Sequence, residues 1–173
     1  LRAAGGYDQR RARHVSPVTT IYLALGTNLG DRLANLQAAA RALPPQVNIL
    51  RASRIYETPP WGYTDQPAFL NQVLEAQTDL PPLDLLAHLK NVEAALGRQP
   101  TFRNGPRLID LDILFYGDQA VELPGLTIPH PRLAERAFVL VPLVELAPAL
   151  RHPILDATLS DLLSRVDTSG VLP

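Results

Sequence analysis

Residues 105–117 read GPRLIDLDILFYG. The branched and aromatic residues of 108–116 predict a buried β-strand, which Gly117 closes. Two aspartates interrupt it. Strand residues i and i+2 share a face, so Asp110 and Asp112 project together, while Ile109, Leu111 and Ile113 project to the other side, where the core is expected. Carboxylates about 7 Å apart repel one another, and burial raises their pKa values. A divalent cation removes that cost: carboxylate oxygens suit Mg²⁺, and such a pair can hold two ions about 3.5–4 Å apart against a polyphosphate. An Asp-x-Asp taken alone is more often a pair of solvated carboxylates on an open sheet face.

Arginines next to the pair point toward phosphate. Arg107 directly precedes the strand after Gly105-Pro106, and Arg98 and Arg103 lie at the start of the preceding loop and within it. Guanidiniums beside metal-bound carboxylates are what a transferring phosphoryl group requires, because that chemistry is mostly positioning and charge stabilisation. Each arginine considered singly is more often a surface ion-pair partner. The glycine-bearing run Gly26-Thr27-Asn28-Leu29-Gly30 is neither a Walker A sequence nor a dinucleotide fingerprint, and it reads as a turn into a helix.

Working outward, 20–25 predicts a first strand and 31–43 a helix that Pro44-Pro45 ends. A second strand is expected over 47–56, a proline-rich loop over 57–67 and a third strand over 68–77. Pro81-Pro82 opens a second helix to Leu96, striped by Leu85, Leu89 and Val92, with Gly97 as its stop. The polar loop 99–106 leads into the opening strand, and Val121 marks a short edge strand. Two more helices are expected at 141–146 and at 159–166, the latter capped by Thr158. The order is β-α-β-β-α-β with a C-terminal helical addition: an α+β, ferredoxin-like core with a mostly antiparallel sheet and helices packed on it.

The chain of 173 residues suits one domain, expected over 20–166 with a C-terminal tail at 167–173. Residues 1–19, basic and without an apolar period, read as a disordered tail, with a transit segment as the weaker reading. A net charge of −1 and a single lysine, Lys90, argue against a nucleic-acid groove, and hence against a palm-like nucleotidyltransferase. No apolar run reaches the roughly 20 residues of a membrane span. The absence of cysteine excludes disulfides and thiolate chemistry and fits a reducing compartment. The expectation is a soluble, cytoplasmic monomer with small-molecule partners and neither nucleic acid nor membrane.

Five segments resemble the 6-hydroxymethyl-7,8-dihydropterin pyrophosphokinases of folate biosynthesis: YLALGTNLGDR (22–32), YETPPWG (56–62), DQPAFLNQV (65–73), GPRLIDLDILFYG (105–117) and IPHPRLAERAFVLVPLVELAP (128–148). The resemblance implies transfer of the β,γ-pyrophosphoryl group of ATP, as co-substrate, to the hydroxymethyl oxygen of a reduced pterin, with release of AMP. Asp110 and Asp112 would hold two Mg²⁺. Arg98 and Arg107 match phosphate-contacting arginines, and Arg103 matches one on a mobile catalytic loop. His130 and Arg136 match nucleotide-side residues, Glu93 a helix residue that orients the arginines, and Ile113 and Lys90 fall on the same side. For the pterin, Phe69 and Phe138 match the stacking positions, Asn71 the edge reader, and Thr58, Pro59 and Trp61 the contacting loop. Loops 57–67 and 99–106 would act as lids. Asn104 stands where the family often has tryptophan, Pro100 where a basic residue is common, and Phe69 lacks a tyrosine hydroxyl found in some members. The competing reading is a ferredoxin-like binding module without turnover, which leaves the aspartates and arginines unused.

Overall fold

The structure is a computed structural model that describes residues 17–173, so most of the tail expected over 1–19 lies outside the described residues, and Thr19 at its end already belongs to the first strand. The core runs β1 (Thr19–Thr27), α1 (Arg32–Ala42), β2 (Val47–Ala52), β3 (Tyr56–Thr58), β4 (Phe69–Thr78), α2 (Pro82–Ala95) and β5 (Asp110–Tyr116). After it come the hairpin β6 (Val121–Leu123) and β7 (Leu126–Ile128), a 3-10 turn at Leu133–Glu135, α3 (Ala137–Leu146) and α4 (Leu159–Leu163). The strands order β2-β4-β1-β5, with β3 on the same side of β4 as β2, and every pairing is antiparallel. This is the expected ferredoxin-like arrangement.

Local chemistry sets the helix ends. Asp31 caps α1 by accepting the Ala34 N–H at 3.1 Å. At the end of α2, Gly97 adopts φ +94°, and the Arg98 N–H returns to the Glu93 carbonyl at 3.1 Å. That left-handed turn, which glycine adopts freely, throws the Arg98 side chain back toward the sheet.

Each face of the sheet has its own core. Ile21, Leu23 and Leu25 of β1 and Ile109, Leu111 and Ile113 around the start of β5 pack beneath Leu36, Ala39, Leu85, Leu89 and Val92 of α1 and α2. On the opposite face, Tyr22, Val73, Leu114 and Phe115 pack with Val139, Leu140, Leu143, Leu159 and Leu162. That second layer covers only the Tyr22 end of the sheet. The other end, with Ala24, Gly26, Asn71, Asp110 and Asp112, lines an open cleft.

Several boundaries differ from expectation. The strand expected over 47–56 is two strands, because the Ser53 hydroxyl accepts the Val73 N–H at 3.0 Å where a ladder carbonyl would stand. Thr58 therefore belongs to a strand and not to the loop. The strand expected from Leu108 begins at Asp110, since the Leu108 carbonyl takes the Thr27 hydroxyl instead of a ladder bond. The expected single edge strand at Val121 is half of a hairpin. α3 begins at Ala137 and carries Pro142 inside it, and α4 ends at Leu163. An interior proline removes one helical hydrogen bond; burial of Val139, Leu140, Leu143 and Leu146 offsets the loss.

Phe115 ties the second layer to the sheet, with edge-on contacts to Tyr22 and His152 at centroid distances of 6.3 and 5.8 Å. Phe115→Ala should cost about 3–5 kcal/mol in urea unfolding. A loss below about 1 kcal/mol would mean that α3 and α4 are not packed as described.

Candidate active site

The cleft floor follows from strand register. Gly26 pairs with Asn71 on one side and Asp110 on the other, and Ala24 pairs with Val73 and Asp112. Strands lie about 4.8 Å apart, so the backbones of Asn71 and Asp110 stand roughly 10 Å apart across a glycine. A Cβ at Gly26 would lie 3.3 Å from Asn71 Oδ1 and 3.9 Å from the Phe69 ring. The two small residues of β1 thus leave a flat floor between an amide and a carboxylate pair.

One end of the cleft is an aromatic slot. Phe69, Phe138, Trp61, Pro59, Thr58 and Asn71 line it. Asn71 is 7% exposed, and its Nδ2 donates to Thr58 Oγ1 at 2.6 Å. That bond fixes which way the amide faces. Trp61 lies under two guanidiniums, with Arg132 at 4.5 Å and Arg136 at 4.9 Å from the ring centroid, and Arg136 also sits 5.6 Å over Phe138.

The other end is charged. Arg98 Nη1 donates to Asp110 Oδ1 at 2.9 Å and to Glu93 Oε2 at 2.8 Å, and Arg107 Nη1 donates to Asp110 Oδ2 at 2.8 Å. Burial works against the charge on Arg98, but Asp110 and Glu93 outweigh it and hold its pKa above the ordinary arginine value. Glu93 is itself buried and accepts the Leu111 N–H of β5 at 2.8 Å, so it positions both the strand and the arginine. Lys90 reaches only the back of Glu93, at 3.4 Å.

Asp112 faces the same cleft, and its carboxylate has no hydrogen bond or ion pair among the described residues. Burial first, and the Asp110 charge second, push its carboxyl up to about 7. Arg136, whose buried Nε also lacks a partner, has its pKa lowered chiefly by burial. An unpartnered acid and a half-partnered cation, both lining one cleft, fit a ligand that brings both positive and negative charge. His130 is held neutral, its pKa lowered to about 4 by burial and then by Arg136. Its Nδ1 accepts the Arg132 N–H at 3.2 Å, which assigns the ring proton to Nε2.

Not every residue singled out in the sequence reaches the cleft. Ile113 is buried in the core on the α1–α2 face. Arg103 is exposed on loop 99–106, with no ion pair among the described residues. His130, Arg98, Glu93 and Lys90 are not among the residues that line the cleft; Arg98 touches it through Asp110, and Glu93 through Arg98.

Asn28 is the residue that local pattern reading missed. Nearly fully buried, it accepts the Arg107 N–H at 2.9 Å and donates to Gln66 Oε1 and the Pro67 carbonyl, both at 2.9 Å. The run read as a simple turn therefore ties Arg107 to loop 57–67. Its only sequence signal was a polar residue between two glycines, because its partners lie 38 to 79 residues away. The loops also meet directly, through Gln66 Nε2 to the Asn104 carbonyl at 2.7 Å and through Tyr63 edge-on to Phe102 at 5.0 Å.

A family model for 7,8-dihydro-6-hydroxymethylpterin-pyrophosphokinase matches residues 22–148. The 2-amino-4-hydroxy-6-hydroxymethyldihydropteridine pyrophosphokinase of Methylorubrum extorquens is 44% identical over 156 residues, covering 89% of this chain and 98% of the relative. The Aquifex aeolicus protein of the same name is 43% identical over 137 residues, covering 79% and 86%. The folic acid synthesis protein FOL1 of Dictyostelium discoideum is 41% identical, over 87% of this chain but only 23% of its own length. Among solved structures, an HPPK-DHPS protein of Plasmodium falciparum superposes with a TM-score of 0.73 over 88% of this chain and 46% of its own, at 17% identity. That likeness concerns the fold.

The Asp112 environment sets a sign for stability. The folded carboxyl titrates near 7 and an unfolded one near 3.8, so the folded state holds the extra proton between these values. Stability of the ligand-free, metal-free protein therefore falls as pH rises through that window, and the penalty is complete above pH 7. In urea unfolding at pH 8, Asp112→Asn should be more stable than the parent by on the order of 1–3 kcal/mol, with the difference vanishing near pH 4. Equal stability at pH 8 would contradict the assignment.

Proposed function

This chain belongs to the 7,8-dihydro-6-hydroxymethylpterin-pyrophosphokinase family, and from that premise we propose how its cleft transfers a pyrophosphoryl group from ATP to the hydroxymethyl oxygen of the dihydropterin. The observation that carries the reading is that one cleft joins an aromatic, amide-edged slot to a strand-borne carboxylate pair. A flat, electron-poor bicycle stacks between Phe69 and Phe138, and Asn71, its amide set by Thr58, satisfies the hydrogen-bonding edge. The ring's hydroxymethyl arm then points across Gly26 toward Asp110 and Asp112.

The residues present fit a magnesium site of a particular kind. Among the described residues no group of three or more histidine, aspartate or glutamate side chains is arranged to hold a metal ion, so the two aspartates are the donors this reading relies on. Mg²⁺ is commonly held by one or two carboxylates together with substrate phosphates and waters. The raised, unpartnered Asp112 carboxyl is a group that a cation would return to its ionised form. Two bound Mg²⁺ would neutralise the charge of the triphosphate. Asp110 would exchange part of its bonding to Arg98 and Arg107, which frees their donors for phosphate oxygens.

In the transfer, the hydroxymethyl oxygen attacks the β-phosphorus while its proton is lost to the Asp112 carboxylate or to solvent, the bond from that phosphorus to the α,β-bridging oxygen breaks, and AMP departs with that oxygen. Arg98 and Arg107 stabilise the phosphate charge from the β5 side, and Arg136 from the aromatic side. His130, neutral with its proton on Nε2, adds a donor without adding charge. Loops 59–68 and 99–106, already joined through Gln66, close over the cleft together and exclude water.

With ATP, Mg²⁺ and 6-hydroxymethyl-7,8-dihydropterin, the protein should release AMP; well-folded protein that releases none overturns the reading. Asp112→Ala should fold and bind the dihydropterin as the parent does while transfer falls by roughly 10²–10³-fold. Asn71→Ala should raise the KM for the dihydropterin by about tenfold and leave that for ATP unchanged. Equal effects on both substrates would place Asn71 outside the pterin slot.

A further inference from the structure

Residues 168–172 form a segment beyond the ferredoxin-like core. Asp167 Oδ1 accepts the Ser169 N–H at 2.9 Å and the Val171 N–H reaches the Thr168 carbonyl at 3.1 Å, forming a turn that folds the chain back onto the sheet. Leu172 then bridges antiparallel to Glu57: the Glu57 N–H donates to the Leu172 carbonyl at 2.7 Å, and the Leu172 N–H donates to the Glu57 carbonyl at 3.0 Å. Gly170 sits against Pro59 so closely that an added Cβ would lie 3.3 Å from Pro59 Cγ. The contact is made by backbone and not by side-chain burial, since Leu172 is 57% exposed.

We propose that this segment is a positioning strap for the dihydropterin slot. Glu57 is the middle residue of β3, a three-residue strand whose other edge pairs with Phe69, Leu70 and Asn71 of β4. A strand this short, held on one edge only, is weak. Leu172 supplies hydrogen bonds to its free edge. The next residue is Thr58, which sets the Asn71 amide, and the one after is Pro59, which lines the slot and carries the Gly170 contact. The strap therefore acts at second hand: it holds Thr58 and Pro59, and through them the group that reads the pterin edge. Its contacts lie on the β3 side of the sheet, away from Asp110 on β5 and from Arg107 just before it, so the nucleotide end should not register its loss.

This inference rests on the dihydropterin reading of the slot, and the test separates the two. Trp61 is the single tryptophan and lines the cleft, so quenching of its emission reports dihydropterin binding without turnover. Mg-ATP affinity is measured in parallel by calorimetry. Leu172→Pro removes the N–H that bonds Glu57, a chain ending at Asp167 removes the whole strap, and Leu172→Ala keeps the backbone bonds. The first two should weaken dihydropterin binding about 3- to 10-fold with Mg-ATP affinity unchanged, and Leu172→Ala should match the parent. Unchanged dihydropterin affinity in both, or an equal loss for both ligands, would overturn the strap. A parent protein that does not bind the dihydropterin would overturn the slot reading, and this inference with it.

Discussion

Backbone pairing across β1 is the constraint on which the cleft depends. Because Gly26 pairs with Asn71 and with Asp110 at once, an amide and a carboxylate stand on either side of a residue with no side chain. A register slip of one residue would turn both to the opposite face, into the core beneath α1 and α2. The apolar residues alternating with them forbid that slip: Ile21, Leu23, Leu25, Leu111 and Ile113 are all buried on the helical face. The hydrophobic core thus specifies the geometry of the polar site, through a sheet two residues in period and about 4.8 Å between strands.

What remains is how that geometry stays open and charged. The second helical layer stops short of the cleft, so the face that α3 and α4 bury at Phe115 is available at Asp112. Charge there is incompletely matched among the described residues. Asp110 holds two arginines, whereas Asp112 holds none and Arg136 rests on aromatic rings with its Nε unsatisfied. An unmatched buried carboxylate and guanidinium are costly, and the proposed metal–phosphate ligand would offset that cost, as the preorganisation of electrostatic catalysis requires.

Some of this was legible in the chain and some was not, for physical reasons. The facing aspartates followed from period-two alternation alone, and α2 from its leucine stripe and terminal glycine. The first strand lacks a clean apolar–polar alternation because Tyr22 lies under the second layer, so both of its faces are buried at that end. α3 was cut short at its N-terminal end because Pro142 reads as a first-turn residue, whereas burial carries the helix through it. Asn28 was opaque because every partner that matters is remote in sequence. Asn104, noted as a departure from the family's tryptophan, adopts φ +58°, a left-handed conformation that asparagine tolerates better than most residues. Its side chain lies against Gly62, where an added Cβ would stand 2.6 Å from Asn104 Nδ2, so the two loops meet there at close quarters.

The most direct test is a crystal structure with Mn²⁺ in place of Mg²⁺, a non-hydrolysable ATP analogue and the dihydropterin, with anomalous scattering used to locate the metal. The account predicts metal peaks at the Asp110 and Asp112 pair, the pterin between Phe69 and Phe138 with its edge on Asn71, and the hydroxymethyl group on the Asp110 side of Gly26. Metal bound away from this aspartate pair, or a pterin outside the aromatic slot, would contradict it.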